Sequence, residues 1–357
     1  MRRIAISLVA VAFLATASSF ALAAQRTFVS GAGSDSNACS LVAPCRSLAA
    51  ALVNTAVNGE IIIQDSAGYG PVTIAQSVSI VAPPGVYGGI SIASGTGITI
   101  NGAGIDVTLK GLTINGQGGA TGIDFQGASL NSKVRIEGAE IANLTGNGIT
   151  VSAGSSEVLV IDSIIRDTGG DGIEAMGSST ITVDRSRFDR NANGIYVHDG
   201  PVVFVSNSVI ANSASSGMRM FVALPGSSVS ASIESCSLIG AGNEVVYLDT
   251  QGASSTIGVT VSRSTLVGNQ NGVGVNASAG GSVATAVLKD NVISKNSNKG
   301  VYVQFAGATA ILSGNTVTGN VTGLQSLSSG VLTSFGNNSV TGNGTNTSPP
   351  PSVVPST

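Results

Sequence analysis

The chain has 357 residues, of which only 10% are charged, with 48 glycines, no tryptophan and a single histidine. A net charge of −3 with no basic block excludes nucleic acid as the main partner, because phosphate binding needs clustered Lys and Arg. Ser, Thr, Asn, Gly, Val and Ile dominate, which favours strands and turns over helices.

The N-terminus reads as an export signal. Arg2 and Arg3 precede an apolar run from Ile4 to Leu14, and Ala21-Leu22-Ala23 offers small residues for cleavage. Residues 1–24 are therefore expected to be removed. The mature protein is expected to be secreted, at the cell surface or periplasmic. The apolar run is short for an anchor and no later segment is long enough to span a bilayer, so no membrane association is expected after cleavage. Export permits disulfides. Cys39 and Cys45 lie close together in a Ser/Asn/Pro-rich stretch and are expected to pair, adding about 2–3 kcal/mol. Cys236 is left over.

Residues 25–58 read as an N-terminal cap. Ser47 is placed to cap a short helix from Leu48 to Val53. Strands follow at Glu60–Gln64, Pro71–Ile74, Val78–Val81, Ile90–Ile92, Ile98–Ile100 and Val107–Leu109, each an alternating or β-branched run.

From there a phrase of glycine, apolar, any residue, apolar returns every 22–28 residues or so. It reads Gly122-Ile123-Asp124-Phe125, then Gly148-Ile149-Thr150-Val151, and recurs at Gly172, Gly194, Gly217, Gly272 and Gly300. A repeat of this period means a solenoid. A second strand recurs as Val134-Arg135-Ile136, Val158-Leu159-Val160 and Ile181-Thr182-Val183. A column of small residues follows it: Ala139, Ser163, Ser186, Ser208, Cys236, Ser264, Asn291, Asn315. In that column Cys236 is expected to be a buried, inert thiol. A third column holds Asn191, Asn269, Asn296, Asn320 and Asn343. Three short strands per coil make an all-β fold, a parallel β-helix of about ten or more coils over residues 59–345. Residues 346–357, with Pro349-Pro350-Pro351, read as a disordered tail.

The coil pattern resembles right-handed parallel β-helix proteins of the pectin-lyase-like superfamily. Gly59-Glu60-Ile61-Ile62-Ile63-Gln64, Tyr69-Gly70-Pro71-Val72-Thr73-Ile74 and Val78-Ser79-Ile80 are similar to the first coils of secreted members. The resemblance implies the right-handed fold and a superfamily that includes pectate lyases, polygalacturonases and epimerases. It implies no catalytic residue. The Asn-Thr-Asp, Asp-Asp, Gly-His-Gly and Arg-Ile-Lys signatures of polygalacturonases are absent, as is the Arg-x-Pro-x-x-Arg pattern of pectate lyases.

Stacking the coils places an exterior strip on the glycine-led strand, because residues between two inward ones must point outward. One row reads Asp124, Thr150, Glu174, Tyr196, Arg219, Tyr247, Gly274, Tyr302. Its neighbour reads Gln126, Ser152, Met176, His198, Phe221, Asp249, Asn276, Gln304. The strip gathers three of the five tyrosines and the single histidine. Aromatic faces beside acids and an arginine suit a polysaccharide, the expected partner, with Glu174, Tyr196, His198, Arg219, Tyr247 and Asp249 as its contacts. The plainer alternative is a solvated face whose aromatic pairs support the sheet. The function expected is a non-catalytic glycan-binding, surface or matrix protein. The alternative is a polysaccharide lyase or glycoside hydrolase acting on uronate polymers. Asp124 and Glu174 lie two rungs apart, about 9–10 Å, at the outer edge for an inverting carboxylate pair and too far for a retaining one. No metal site and no cofactor are indicated. Gly169-Gly170-Asp171-Gly172 reads as a plain turn, and calcium held by scattered carboxylates stays open.

Overall fold

In the computed structural model, residues 23–127, 130–152 and 154–354 are described. Most of the expected export signal, residues 1–22, lies outside them. The chain coils through three parallel sheets in turn. Sheet 1 has 14 strands, from Ala24–Val29 to Ser352–Val353. Sheets 2 and 3 have 12 each, from Ala67–Gly68 to Ser339–Val340 and from Val72–Ile74 to Thr345–Ser348. One coil shows the plan. Thr180–Asp184 lies in sheet 1, Arg187–Asp189 in sheet 2 and Ile195–His198 in sheet 3. Ile181, Val183, Phe188, Ile195 and Val197 all point inward and are fully buried. The result is a right-handed parallel β-helix with its core along the axis.

The corner between sheets 1 and 2 needs one left-handed residue per coil. Asp162, Arg185, Asn207, Ser235, Arg263 and Asp290 fill it with φ of 47–56° (Ser235 54°, Arg185 47°). Next to this corner runs the column of small residues. Each backbone N–H donates to the side chain one coil on: Ser163 N to Ser186 Oγ at 3.2 Å, Cys236 N to Ser264 Oγ at 3.0 Å, Asn291 N to Asn315 Oδ1 at 3.0 Å. Cys236 sits in this column, buried, and burial pushes its thiol up to about 11.

The asparagine column is a true ladder. Asn296 Oδ1 accepts from Asn269 N at 3.1 Å and Asn269 Nδ2 at 3.0 Å, while its own Nδ2 donates to Asn320 Oδ1 at 2.9 Å. Asn296→Ala would leave the buried Asn269 N without its acceptor and would cost Asn269 Nδ2 and Asn320 Oδ1 one hydrogen bond each. The expected loss is about 1–3 kcal/mol, read by thermal unfolding. A midpoint equal to wild type would show that the ladder contributes nothing.

The N-terminal end is closed. The helix Leu48–Asn54 is capped by Ser47, whose side chain accepts from Ala50 N. The Cys39–Cys45 disulfide is present. Its loop pairs with the outer edge of the first strand: Phe28 N donates to Cys39 O at 2.8 Å and Cys45 N to Phe28 O at 3.0 Å. The following strand is longer than the Glu60–Gln64 expected, running from Thr55 to Ile63 straight out of the helix.

The C-terminal segment corrects the sequence expectation of a disordered tail from residue 346. Thr345–Ser348 pairs with sheet 3 and Ser352–Val353 with sheet 1. Parallel ladders use backbone groups alone. Pro349–Pro351 fall between the two strands, where no ladder N–H is needed.

Candidate functional site

Sheet 3 carries the strip in the register that stacking requires. Glu174 pairs with Tyr196, Tyr196 with Arg219, Arg219 with Tyr247, and Tyr247 with Gly274. Beside them His198 pairs with Phe221 and Phe221 with Asp249. All six expected contact residues therefore share one exterior face.

Arg219 is its centre. The guanidinium carbon lies 5.3 Å from the Tyr196 ring, 5.2 Å from Phe221 and 6.0 Å from Tyr247. Nε is buried without a hydrogen-bond partner. The nearest carboxylate oxygen, Oδ2 of Asp249, is 3.7 Å from Nη2, beyond hydrogen-bond range. Aromatic faces thus hold a cation whose donors are largely unspent.

Asp249 does not reach solvent as expected. Its side chain is only 3% exposed. Gln251 Nε2 and Asn276 Nδ2 each donate to it at 2.9 Å, and burial raises its pKa. The cation beside it is Arg219. Tyr302 is also covered. Its ring lies across Gly274, where a Cβ would come within 2.7 Å of the ring, and its hydroxyl donates to Glu244 Oε1 at 2.8 Å, two coils away.

His198 stacks on Tyr196, centroids 5.1 Å apart. Its Nε2 lies 3.6 Å from Glu174 Oε1 and its Nδ1 3.5 Å from Asp199 Oδ2. Glu174 also accepts from Asn147 Nδ2 at 2.6 Å. Glu174, followed by Asp199, holds the imidazole pKa above its usual value, and His198 holds Glu174 below the usual carboxylate range. The raised His198 pKa gives stability that is full below about pH 6.5 and fades as pH rises through the folded-state value. The depressed Glu174 pKa gives stability that is full above about pH 4.5 and fades as pH falls. His198→Asn is therefore expected to lower the melting midpoint most near pH 5–6, and little at alkaline pH. A difference independent of pH would show that the imidazole is neutral throughout.

Sequence reasoning missed Asp171, taking it for a turn residue. It is buried, its Oδ1 accepts from Asn193 N at 3.1 Å and Nδ2 at 2.7 Å, and burial raises its pKa. The signal was available. Asn147, Asp171, Asn193 and Ser216 each immediately precede a repeat glycine and form their own column, with Asp171 N donating to Asn147 Oδ1 and Ser216 N to Asn193 Oδ1. Among the described residues no group of three or more His, Cys, Asp or Glu is arranged to hold a metal ion, and no helix is long and apolar enough to cross a membrane.

Residues 96–285 match the family described as the right handed beta helix region. The chain belongs to this family. No curated protein matches it in sequence. Solved β-helix structures do match in shape. The A-module of the mannuronan C-5 epimerase AlgE6 from Azotobacter vinelandii has a TM-score of 0.57 at 16% identity, covering 83% of this chain and 89% of that one. A XylC structure in complex with xylose gives 0.58 at 10% identity, over 76% and 69%. The Agl-KA catalytic domain gives 0.53 at 13% identity, over 81% and 61%. At such identities the likeness is one of fold.

Proposed function

We propose that this β-helix protein is exported and binds a polysaccharide along the outer face of sheet 3. The single observation that carries the reading is the state of Arg219. A guanidinium among three aromatic rings, one-third exposed and with no protein hydrogen bond, has donors outside its buried Nε to offer to oxygen atoms from outside. Tyr196 and Tyr247 flank it as half-buried apolar surface for sugar C–H faces. The similar structures include one protein named for mannuronan and one bound to xylose, which supports a carbohydrate partner. The disulfide fits an extracellular setting.

A polysaccharide lyase or glycoside hydrolase is the second reading. The observation in its favour is His198 set between Glu174 and Asp199, an arrangement able to move a proton. Affinity electrophoresis of the purified protein on neutral and uronate-rich polysaccharides separates the two. Retention with no new reducing or unsaturated ends supports binding alone. Release of such ends makes the protein an enzyme. Absence of retention on every polymer leaves the face a structural one.

A further inference from the structure

We infer that the polysaccharide taken by the outer face of sheet 3 is a neutral one, and that this face rejects polyuronates and other polyanionic glycans. The inference rests on the polysaccharide reading above and names the substrate class of the same face. The observation behind it is the distribution of charge. Among the described residues, only Arg219 and Lys299 of the chain's 16 Lys and Arg stand on a sheet 3 strand or within two residues of one, with His198 as a third cation when protonated. Asp124, Asp171, Glu174, Asp199, Glu244 and Asp249 stand there as well, six carboxylates against three cations. The other two sheets differ, because their cations are paired off along the coils: Lys110 with Glu137 at 2.8 Å, Arg166 with Glu140 at 2.6 Å and Arg190 with Asp167 at 2.6 Å.

Each cation of sheet 3 already faces a carboxylate. Arg219 Nη2 lies 3.7 Å from Oδ2 of the buried Asp249. His198 stands between two, Glu174 Oε1 at 3.6 Å and Asp199 Oδ2 at 3.5 Å. Lys299 Nζ lies 5.0 Å from the centre of the Tyr302 ring, whose hydroxyl donates to Glu244 Oε1. No cation of the face is left over to neutralise a polyanion. The excess does not depend on the two most buried acids. With Asp171 and Asp249 set aside, because burial raises the pKa of each, four carboxylates still stand against three cations, and against two once His198 is neutral.

Arg219 remains useful to an uncharged sugar, since its exposed N–H groups donate to hydroxyl oxygens as well as to carboxylates. A polyuronate carries a carboxylate on every residue. One of them could lie at Arg219, but its neighbours would then fall toward Glu174 and Asp199 on one side or Glu244 on the other, where like charges repel. Glu174 is two coils from Arg219, about 9–10 Å, close to the screening length of about 8 Å at physiological salt. A neutral polymer also divides the enzymatic reading. It fits hydrolysis, because β-elimination needs the carboxyl group of a uronate.

The test is equilibrium binding of the full protein to matched polymers by titration calorimetry. Polygalacturonate and glucuronoxylan are each compared with the same polymer after its carboxyl groups are reduced to hydroxymethyl groups, and chitosan supplies a cationic polymer. At low salt a carboxyl-reduced polymer is expected to bind at least tenfold more tightly than its parent. Raising the ionic strength from about 0.01 M to about 0.15 M shortens the screening length from about 30 Å to about 8 Å. The parent is then expected to gain affinity while the reduced polymer keeps its own. A parent that binds as tightly as its reduced form, or that loses affinity as salt rises, overturns the neutral assignment; the Arg219 strip stands in that case if Arg219→Ala weakens the binding. Chitosan bound more tightly than every neutral polymer also overturns the assignment. Binding of no glycan at all overturns the strip and the assignment together.

Discussion

Arg219→Ala is expected to weaken polysaccharide binding about tenfold to a hundredfold, the range for losing hydrogen bonds to a charged group, about 1.5–3 kcal/mol. The melting midpoint should move by only about 2–4 °C, because the guanidinium makes no hydrogen bond and its aromatic contacts are worth about 1 kcal/mol. Arg219→Lys separates charge from geometry. A lysine keeps the cation but loses the planar fork, and is expected to recover only part of the affinity. If Arg219→Ala binds as wild type, the aromatic row is sheet support and nothing more.

The largest effect on stability is expected from Gly272→Ala. A Cβ there would lie 2.3 Å from Gly300 O on the next coil and 2.8 Å from Ile293 Cγ2. The φ of Gly272 is not positive, so the demand is for close approach of coils, not for a left-handed turn. Either the coils separate or the strand shifts. The expected loss is about 3 kcal/mol, a midpoint lower by about 6–12 °C in thermal unfolding followed by far-UV circular dichroism. Gly258→Ala is the matched control. Its Cβ would meet nothing within 4 Å, on the outer face of sheet 1, and the change is expected to be neutral or to stabilise by about 0.4–1 kcal/mol. Equal melting of the two variants would remove close coil contact as the reason for the repeat glycine.

That glycine made the fold legible. Gly148, Gly172, Gly194, Gly217, Gly272 and Gly300 each face the next coil at a distance that excludes a Cβ, with 2.3–2.7 Å to a carbonyl oxygen (2.3 Å at Gly272, 2.7 Å at Gly217). A steric demand repeated from coil to coil leaves a repeated letter. Once those letters align, the two-residue strand period places Tyr196, Arg219 and Tyr247 in one column, as the register shows. The coil holding Val245 lacks the glycine, yet its strand Glu244–Thr250 keeps the register and is as long as the glycine-led Asn271–Ala277 that follows.

What periodicity does not carry is how outward side chains lean on one another. Asp249 sits in an outward position yet is sealed by Gln251 and Asn276, neither of which the row pattern singles out. Tyr302 is buried because Gly274 leaves space for its ring to cross a coil, a relation between columns and not within one. Asp171 was hidden by its turn-like neighbours, Gly169, Gly170 and Gly172. The C-terminal strands were hidden by composition, since Ser, Thr and Pro describe side chains while the ladder is made by the main chain.

The most direct measurement of the sugar-facing claim is a crystal structure of the protein soaked with an oligosaccharide that it retains. The expected result is a sugar ring against Tyr196 and Tyr247, with at least one of its oxygens within hydrogen-bond distance of an Arg219 nitrogen. Sugar bound elsewhere, for instance in the ≈ 350 Å³ groove of Pro83, Pro84, Lys110 and Glu137 between other coils, with the Arg219 face bare, would contradict it.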